Sequence, residues 1–95
     1  MHSEQIPTSS PGVIWRILDD SAVLVSPEAG QVRVLNEVGT TIWQLIDGEN
    51  TLAHIEAELI RHYGISPERA RADLHTFLAN LAERGLLTWK TSDQA

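Results

Sequence analysis

Residues 31–48 read QVRVLNEVGTTIWQLIDG, and the spacing of the apolar residues changes within this stretch. Over Gln31–Leu35 apolar and polar residues alternate, which is the pattern of a strand with one buried face. After Asn36 the apolar residues recur at helical spacing, at Val38, Ile42, Leu45 and Ile46. Asn36 suits the N-cap position because its side-chain oxygen can accept a hydrogen bond from the first helical turn. The stretch therefore predicts a strand that leads directly into a helix.

Two more strands are predicted before this stretch. Residues 13–18 form the first, with Val13, Trp15 and Ile17 on one face and Arg16 on the other. Residues 22–26 are nearly all apolar, as in a central strand that is buried on both faces. Short turns at residues 19–21 and 27–30 predict that the three strands form an antiparallel meander.

The alternation in the third strand assigns its side chains to two faces. We expect Val32 and Val34 to point inward to the core, and Gln31 and Arg33 to point outward. Because a helix follows this strand directly, its outer edge can remain open.

Two further helices are predicted after Asp47–Gly48, where a left-handed Gly48 ends the first helix. Thr51 can cap the second helix, and Gly64 ends it. The third helix begins at residues 66–68, which supply a serine cap, a proline at the first helical position and an acid in the first turn.

Strands and helices are segregated along the chain, which is typical of an α+β fold. We predict a three-stranded antiparallel sheet followed by three helices that cover one of its faces, in a winged helix-turn-helix-like arrangement. Gly85 closes the third helix, and a short extended segment follows at residues 86–90. We assign the domain to residues 11–90, with a flexible N-terminal arm at residues 1–10 and a flexible tail at residues 91–95.

The composition argues against several classes of protein. The chain has 95 residues, no cysteine and a formal net charge of −6. It therefore has no disulfide, thiolate nucleophile or cysteine-bound zinc, and it lacks the basic excess of most nucleic-acid-binding proteins. The sequence shows neither an apolar run that could span a membrane nor a secretory signal, so we expect a cytoplasmic protein.

Some polar residues could suggest chemistry. His54, Glu58 and His62 are spaced four apart and could share a helix face, but a metal site would need a further ligand and supporting hydrogen bonds. We interpret these residues, and His75, as part of a solvated surface. Since no nucleophile, metal site or pair of acids is evident, the sequence predicts a non-catalytic protein without a metal or cofactor.

The three tryptophans have different expected roles. Trp43 lies beside Ile42 and Leu45 on the apolar helical face, so we expect it in the core. Trp15 and Trp89 could either pack in the core or lie on a surface that meets a partner.

The stretch from Val34 to Gly48 also resembles a known family. Its Leu-Asn pair, its glycine, its Ile-Trp pair and its final Asp-Gly match the signature of the PqqD-like family in order and spacing. The resemblance continues downstream at Thr51, Leu52, Ile55, Leu59, Tyr63, Asp73, Phe77, Leu78, Leu81, Gly85 and Leu86. It covers about residues 11–87, nearly the whole predicted domain.

The resemblance implies a function in peptide recognition. Members of this family bind the leader of ribosomally synthesised and post-translationally modified peptides (RiPPs) and serve a separate modifying enzyme or leader peptidase. This chain is most similar to standalone members of lasso-peptide pathways, and a peptide chaperone of pyrroloquinoline quinone (PQQ) synthesis is the alternative. The resemblance also implies that the leader adds as a strand beside the third strand, in the groove between that strand and the third helix.

The residues expected to contact the leader lie on these two elements. They are Gln31, Val32, Arg33, Val34, Leu35, Arg69, Asp73, Leu74, Phe77, Leu78 and Asn80. A peptide that joins an open sheet edge gains main-chain hydrogen bonds whatever its sequence, while side-chain pockets provide specificity. The alternative is that the N-terminal arm or a second copy of the chain blocks this edge.

The sequence is also compatible with two other classes of protein. The helical half could form a helix-turn-helix, which would suggest a winged-helix DNA-binding protein. Its third helix mixes acidic residues with its arginines, however, and so carries no basic stripe. A small enzyme is the other class, and it would need a catalytic arrangement that the sequence does not show.

Overall fold

The computed structural model describes residues 4–91 and confirms an α+β fold. Its elements are β1 Gln5–Ser9, β2 Ile14–Leu18, β3 Ser21–Ser26, β4 Gln31–Val34, α1 Glu37–Leu45, α2 Leu52–Tyr63, α3 Pro67–Glu83 and β5 Leu87–Thr91. Strands β2, β3 and β4 form the predicted three-stranded antiparallel sheet, and the three helices follow it. Residues 1–3 and 92–95, which belong to the predicted flexible arm and tail, lie outside the described residues.

The predicted flexible arm is wrong for residues 5–9. They form β1, which pairs antiparallel with β5 in a second, two-stranded sheet. Ile6 and Pro7 of this strand are buried, so β1 contributes to the packing of the domain. A polar segment that contains proline is typical of a loop, and its partner strand lies at the other end of the sequence. The local pattern therefore gave no signal of the pairing.

Two short turns fix the register of the three-stranded sheet. Asp19 and Asp20 have φ angles of 51° and 68°, which are the left-handed conformations of a tight two-residue hairpin. The second turn is four residues long and places Ser26 opposite Gln31. The strand order β2-β3-β4 confirms the predicted meander.

This register reverses the predicted faces of β4. Leu24 is completely buried and lies opposite Arg33, and directly opposed residues share a face of a sheet. Arg33 therefore faces the helices, whereas Val32 and Val34 are 66% and 67% exposed on the other face. The prediction that the valines point inward is wrong because alternation separates two faces without identifying the covered one. The length of the preceding turn decides which face that is.

The outer face of the sheet is uncovered within the described part of the chain. Strand β3 buries Ala22, Leu24 and Ser26, while Val23 and Val25 on the outer face stay partly exposed. The expectation that this strand is buried on both faces is therefore wrong. Exposed apolar residues of the outer strands share this face, namely Ile14, Leu18, Val32 and Val34.

All three predicted helix caps are confirmed. Each cap side chain accepts a backbone hydrogen bond from the third residue after it, at 2.8 Å for Asn36, 3.2 Å for Thr51 and 3.1 Å for Ser66. These bonds satisfy donors that a helix start otherwise leaves unpaired. Within residues 4–91, no helix combines the length and the apolar character that crossing a membrane requires.

The helices and the inner face of the sheet enclose one core. Its members include Leu24, Ile42, Trp43, Leu52, Ile55, Leu59, Leu74, Leu78 and Leu81. Buried Thr40 connects α1 to the sheet, since its Oγ1 accepts the N–H of Ala22 at 3.0 Å and donates to the carbonyl of Leu35 at 3.4 Å. Helix α1 is thus fixed beside the end of β4.

Asp47 stabilises the turn that follows α1. Its Oδ1 accepts the backbone N–H of Asn50 at 3.0 Å and that of Glu49 at 2.9 Å, and these bonds lower the pKa of the carboxyl. A carboxyl with a lowered folded pKa stabilises the fold above its ordinary pKa, and that contribution is lost as the pH falls through the lowered value.

Gly48 has a φ of +81°, which confirms the predicted left-handed turn. A residue with a β-carbon is disfavoured in this conformation by about 1–2 kcal/mol, whereas the 3.5 Å from such a β-carbon to Oγ1 of Thr8 is an ordinary contact. We expect Gly48→Val to lower the free energy of unfolding by about 1 kcal/mol or more. Urea unfolding measures this change, and an unaltered midpoint would contradict the strained backbone.

Candidate functional site

Strand β4 has one open edge in the described part of the chain, because it pairs with β3 only. The N–H of Leu35 donates to the carbonyl of Ala22 at 2.9 Å. In an antiparallel pair, successive residues direct their backbone groups alternately toward the partner strand and away from it. Arg33 therefore bonds toward β3, whereas the N–H and C=O groups of Val32 and Val34 point to the open edge.

A groove runs beside this edge, between β4, α1 and α3. It encloses about 450 Å³. Its lining residues are Arg33, Asn36, Val38, Gly39, Ile42, Asp73, Thr76, Phe77 and Asn80. All five residues of the other edge strand, β2, are exposed. Open backbone groups and side-chain pockets therefore occur together at the β4 edge.

The structure divides the predicted site residues into three groups. Arg33, Asp73, Phe77 and Asn80 line the groove. The backbone of Gln31, Val32 and Val34 forms the adjacent strand, with both valine side chains on the outer face. Leu35, Leu74 and Leu78 are buried in the core. The two leucines on α3 thus pack into the core and do not line the groove.

Arg69 lies at a second, smaller cavity next to the groove. This cavity encloses about 230 Å³, and its lining residues are Val38, Leu59, Tyr63, Ile65, Arg69 and Asp73. Nε of Arg69 lies 3.5 Å from Oδ2 of Asp73, so the two exposed side chains form an ion pair across one helical turn. Asp73 lines both cavities and marks the boundary between them.

The contribution of α1 to the groove was not predicted from the sequence. The residues of this segment that line the groove are Asn36, Val38, Gly39 and Ile42. The sequence feature that indicates their position is the direct passage from β4 into α1, which keeps the first helical turn beside the strand. Gly39 permits a close approach of α3, because a β-carbon there would lie 3.0 Å from Cε1 of Phe77. The glycine therefore helps to set the width of the groove.

The three tryptophans differ in burial. Trp43 is 2% exposed, which confirms its predicted core position. Trp15 shares the inner face of the sheet with Leu24, is 42% exposed and contacts Trp43 edge to face with ring centroids 6.2 Å apart. Trp89 on β5 is partly buried against the core.

Three arginines on α2 and α3 form ion pairs with carboxylates of the same two helices. Arg71 lies 3.5 Å from Glu56, and Glu58 accepts a hydrogen bond from Arg61, which lowers the pKa of Glu58 and raises that of Arg61. Carboxylates thus accompany Arg61, Arg69 and Arg71, so these arginines do not form an unpaired basic surface of the kind that binds DNA. In residues 4–91 no three His, Asp or Glu side chains are grouped as a metal site requires.

The chain matches known proteins in sequence and in structure. The profile of the family described as coenzyme PQQ synthesis protein D (PqqD) matches residues 21–87. No curated protein sequence gives a significant match. Among solved structures, TbiB1 in complex with the TbiA(beta) leader peptide is similar with a TM-score of 0.79 and 27% identity, over 93% of this chain and 98% of that one.

A second similar structure is the solution NMR structure of the PqqD truncation of Methylobacterium extorquens PqqCD, which represents a functional and stand-alone RiPP recognition element. It has a TM-score of 0.73 and 29% identity, over 87% of this chain and 88% of that one. The family match extends from β3 into β5 and includes both walls of the groove. The chain therefore belongs to the PqqD family.

Proposed function

We propose that this chain is a non-catalytic module that binds the leader of a ribosomally synthesised precursor peptide and presents it to a separate modifying enzyme or leader peptidase. The observation that carries this proposal is the open edge of β4 beside a groove of about 450 Å³. The similar structure of TbiB1, which holds a leader peptide, supports the same function for this chain.

The leader would add to the sheet as a strand next to β4. Its backbone would bond to the outward groups of Val32 and Val34, as in other cases of strand addition. Its side chains would alternate between the groove and the outer face, because neighbouring residues of a strand point to opposite sides. Residues opposite Arg33 would enter the groove, and residues opposite the two valines would extend the apolar outer face.

Backbone pairing alone would bind a leader weakly. A few ladder hydrogen bonds contribute about 0.5–1.5 kcal/mol each, and much of this gain is offset by the ordering of a flexible peptide. Useful affinity therefore requires side chains in the groove. Phe77 offers an apolar contact there, while Arg33, Asp73 and Asn80 offer polar ones.

The partners follow from this function. We place the chain with the standalone members of lasso-peptide pathways, and the peptide chaperone of PQQ synthesis is the alternative pathway. Because precursor peptides are made by cytoplasmic ribosomes, we place the encounter in the cytoplasm. A leader that is bound as an extra strand leaves the rest of the precursor free for the enzyme.

The proposal is tested by calorimetry with the leader of the cognate precursor peptide. We expect measurable binding to the intact chain, and about tenfold weaker binding to Asp73→Arg because this change places a bulky cation in the groove wall; tenfold corresponds to about 1.4 kcal/mol. Glu49→Arg is the matched control, since it alters the net charge equally at an exposed turn outside the groove.

Circular dichroism must show that both variants are folded. No binding to the intact chain would contradict the proposed function. Equal affinity of Asp73→Arg and Glu49→Arg would contradict the assignment of the groove.

A further inference from the structure

Arg33 and Arg84 converge on a single acceptor. Nη2 of Arg33 donates to Oδ1 of Asn80 at 3.1 Å, and Nε of Arg84 donates to the same oxygen at 3.2 Å. Two positive guanidinium groups are thereby held within hydrogen-bonding distance of one neutral amide oxygen. Such an arrangement concentrates positive charge at one end of the groove, because Arg33 and Asn80 both line it.

Neither guanidinium has a carboxylate partner within residues 4–91. The ion pairs of Arg61, Arg69 and Arg71 all lie on α2 and α3, and none reaches Arg33 or Arg84. The chain has 13 acidic and 7 basic residues, so a shortage of acids does not explain this. Nε of Arg33 is moreover buried without a hydrogen-bond partner in the described part of the chain. Leaving a buried donor unpaired is unfavourable.

We propose that Arg33, Asn80 and Arg84 form a subsite for a carboxylate side chain of the bound peptide, an inference that rests on the proposed peptide-binding function. A guanidinium presents its N–H groups in a planar fork that matches a carboxylate. Each of the two arginines uses one donor on Asn80 and retains others. The subsite therefore selects leaders that carry Asp or Glu at one defined position.

The register of β4 identifies that position. A strand residue directly opposite Arg33 lies on the same face as Arg33, and so its side chain enters the groove next to Asn80. The selected acid is thus the leader residue opposite Arg33. The leader residues immediately before and after it lie opposite Val32 and Val34.

A library of random 15-residue peptides displayed on phage and selected on the full-length chain tests this inference. We expect Asp or Glu to be enriched at one aligned position of the retained peptides. Selection on Arg84→Glu should abolish this enrichment and favour Lys or Arg at the same position. Lys90→Glu, which makes the same change in net charge at an exposed position of β5, should keep the acidic preference.

A second measurement separates the subsite from a merely structural role of these residues. Replacing the selected acid of one retained peptide by its amide should weaken binding to the intact chain about tenfold, and should have little effect on binding to Arg84→Gln. Retained peptides without acidic enrichment, or the same enrichment on Arg84→Glu, would overturn the subsite while the proposed function stands. Failure of the intact chain to retain any peptide would overturn the proposed function and the subsite together.

Discussion

Replacing Trp43 with alanine is expected to lower the free energy of unfolding by about 3–5 kcal/mol. The side chain is 2% exposed and belongs to the core between the helices and the inner face of the sheet. Its removal leaves a cavity that the surrounding side chains fill only in part. A loss of this size is a large part of the total stability of a small domain.

Urea unfolding followed by circular dichroism checks this prediction. Trp15→Ala is the matched control, because Trp15 contacts the same ring but is 42% exposed. It should therefore cost clearly less than Trp43→Ala. Equal losses for the two variants would show that Trp43 does not have the central place in the core that the structure gives it.

Replacing Val34 with proline is expected to weaken leader binding at least about tenfold while the domain stays folded. The N–H of Val34 points to the open edge, so proline removes a donor to the leader and leaves the ladder to β3 intact. Proline is tolerated on an edge strand when the lost N–H faces away from the sheet. The carbonyl group of the leader that loses this donor lowers the binding free energy by about 1–3 kcal/mol. A loss of 1.4 kcal/mol corresponds to a tenfold weaker affinity.

Two variants serve as controls for this change. Val34→Thr keeps the backbone donor and should bind the leader nearly as well as the parent. Ile17→Pro removes an N–H from the other open edge, since Ile17 lies opposite Ala22, which bonds toward β4. Calorimetry should show little effect of Ile17→Pro. A loss of affinity for Ile17→Pro as large as for Val34→Pro would contradict binding at the β4 edge.

Local patterns predicted most of the fold. The cap residues Asn36, Thr51 and Ser66 and the left-handed Gly48 each act within a few residues of the chain, and the structure confirms them. The pairing of β1 with β5 joins the two ends of the described chain, and no local pattern carries such information.

The residues that line the groove were predicted less completely. Phe77, Asp73 and Asn80 line the groove as expected. Leu74 and Leu78 do not, because an apolar stripe on a helix identifies the buried side and the groove lies at its edge. Arg33 was expected to face outward because it is charged. The register turns it inward, where its guanidinium reaches Asn80.

Amide hydrogen exchange along β4, with and without the leader, tests the central claim most directly. In the free chain the amides of Val32 and Val34 should exchange rapidly, because they point to the open edge, while that of Arg33 should be protected by β3. Addition of the leader should slow exchange at Val32 and Val34 and leave the amides of α2 unchanged. Leader binding that protects other residues, with Val32 and Val34 still exchanging as in the free chain, would contradict strand addition at this edge.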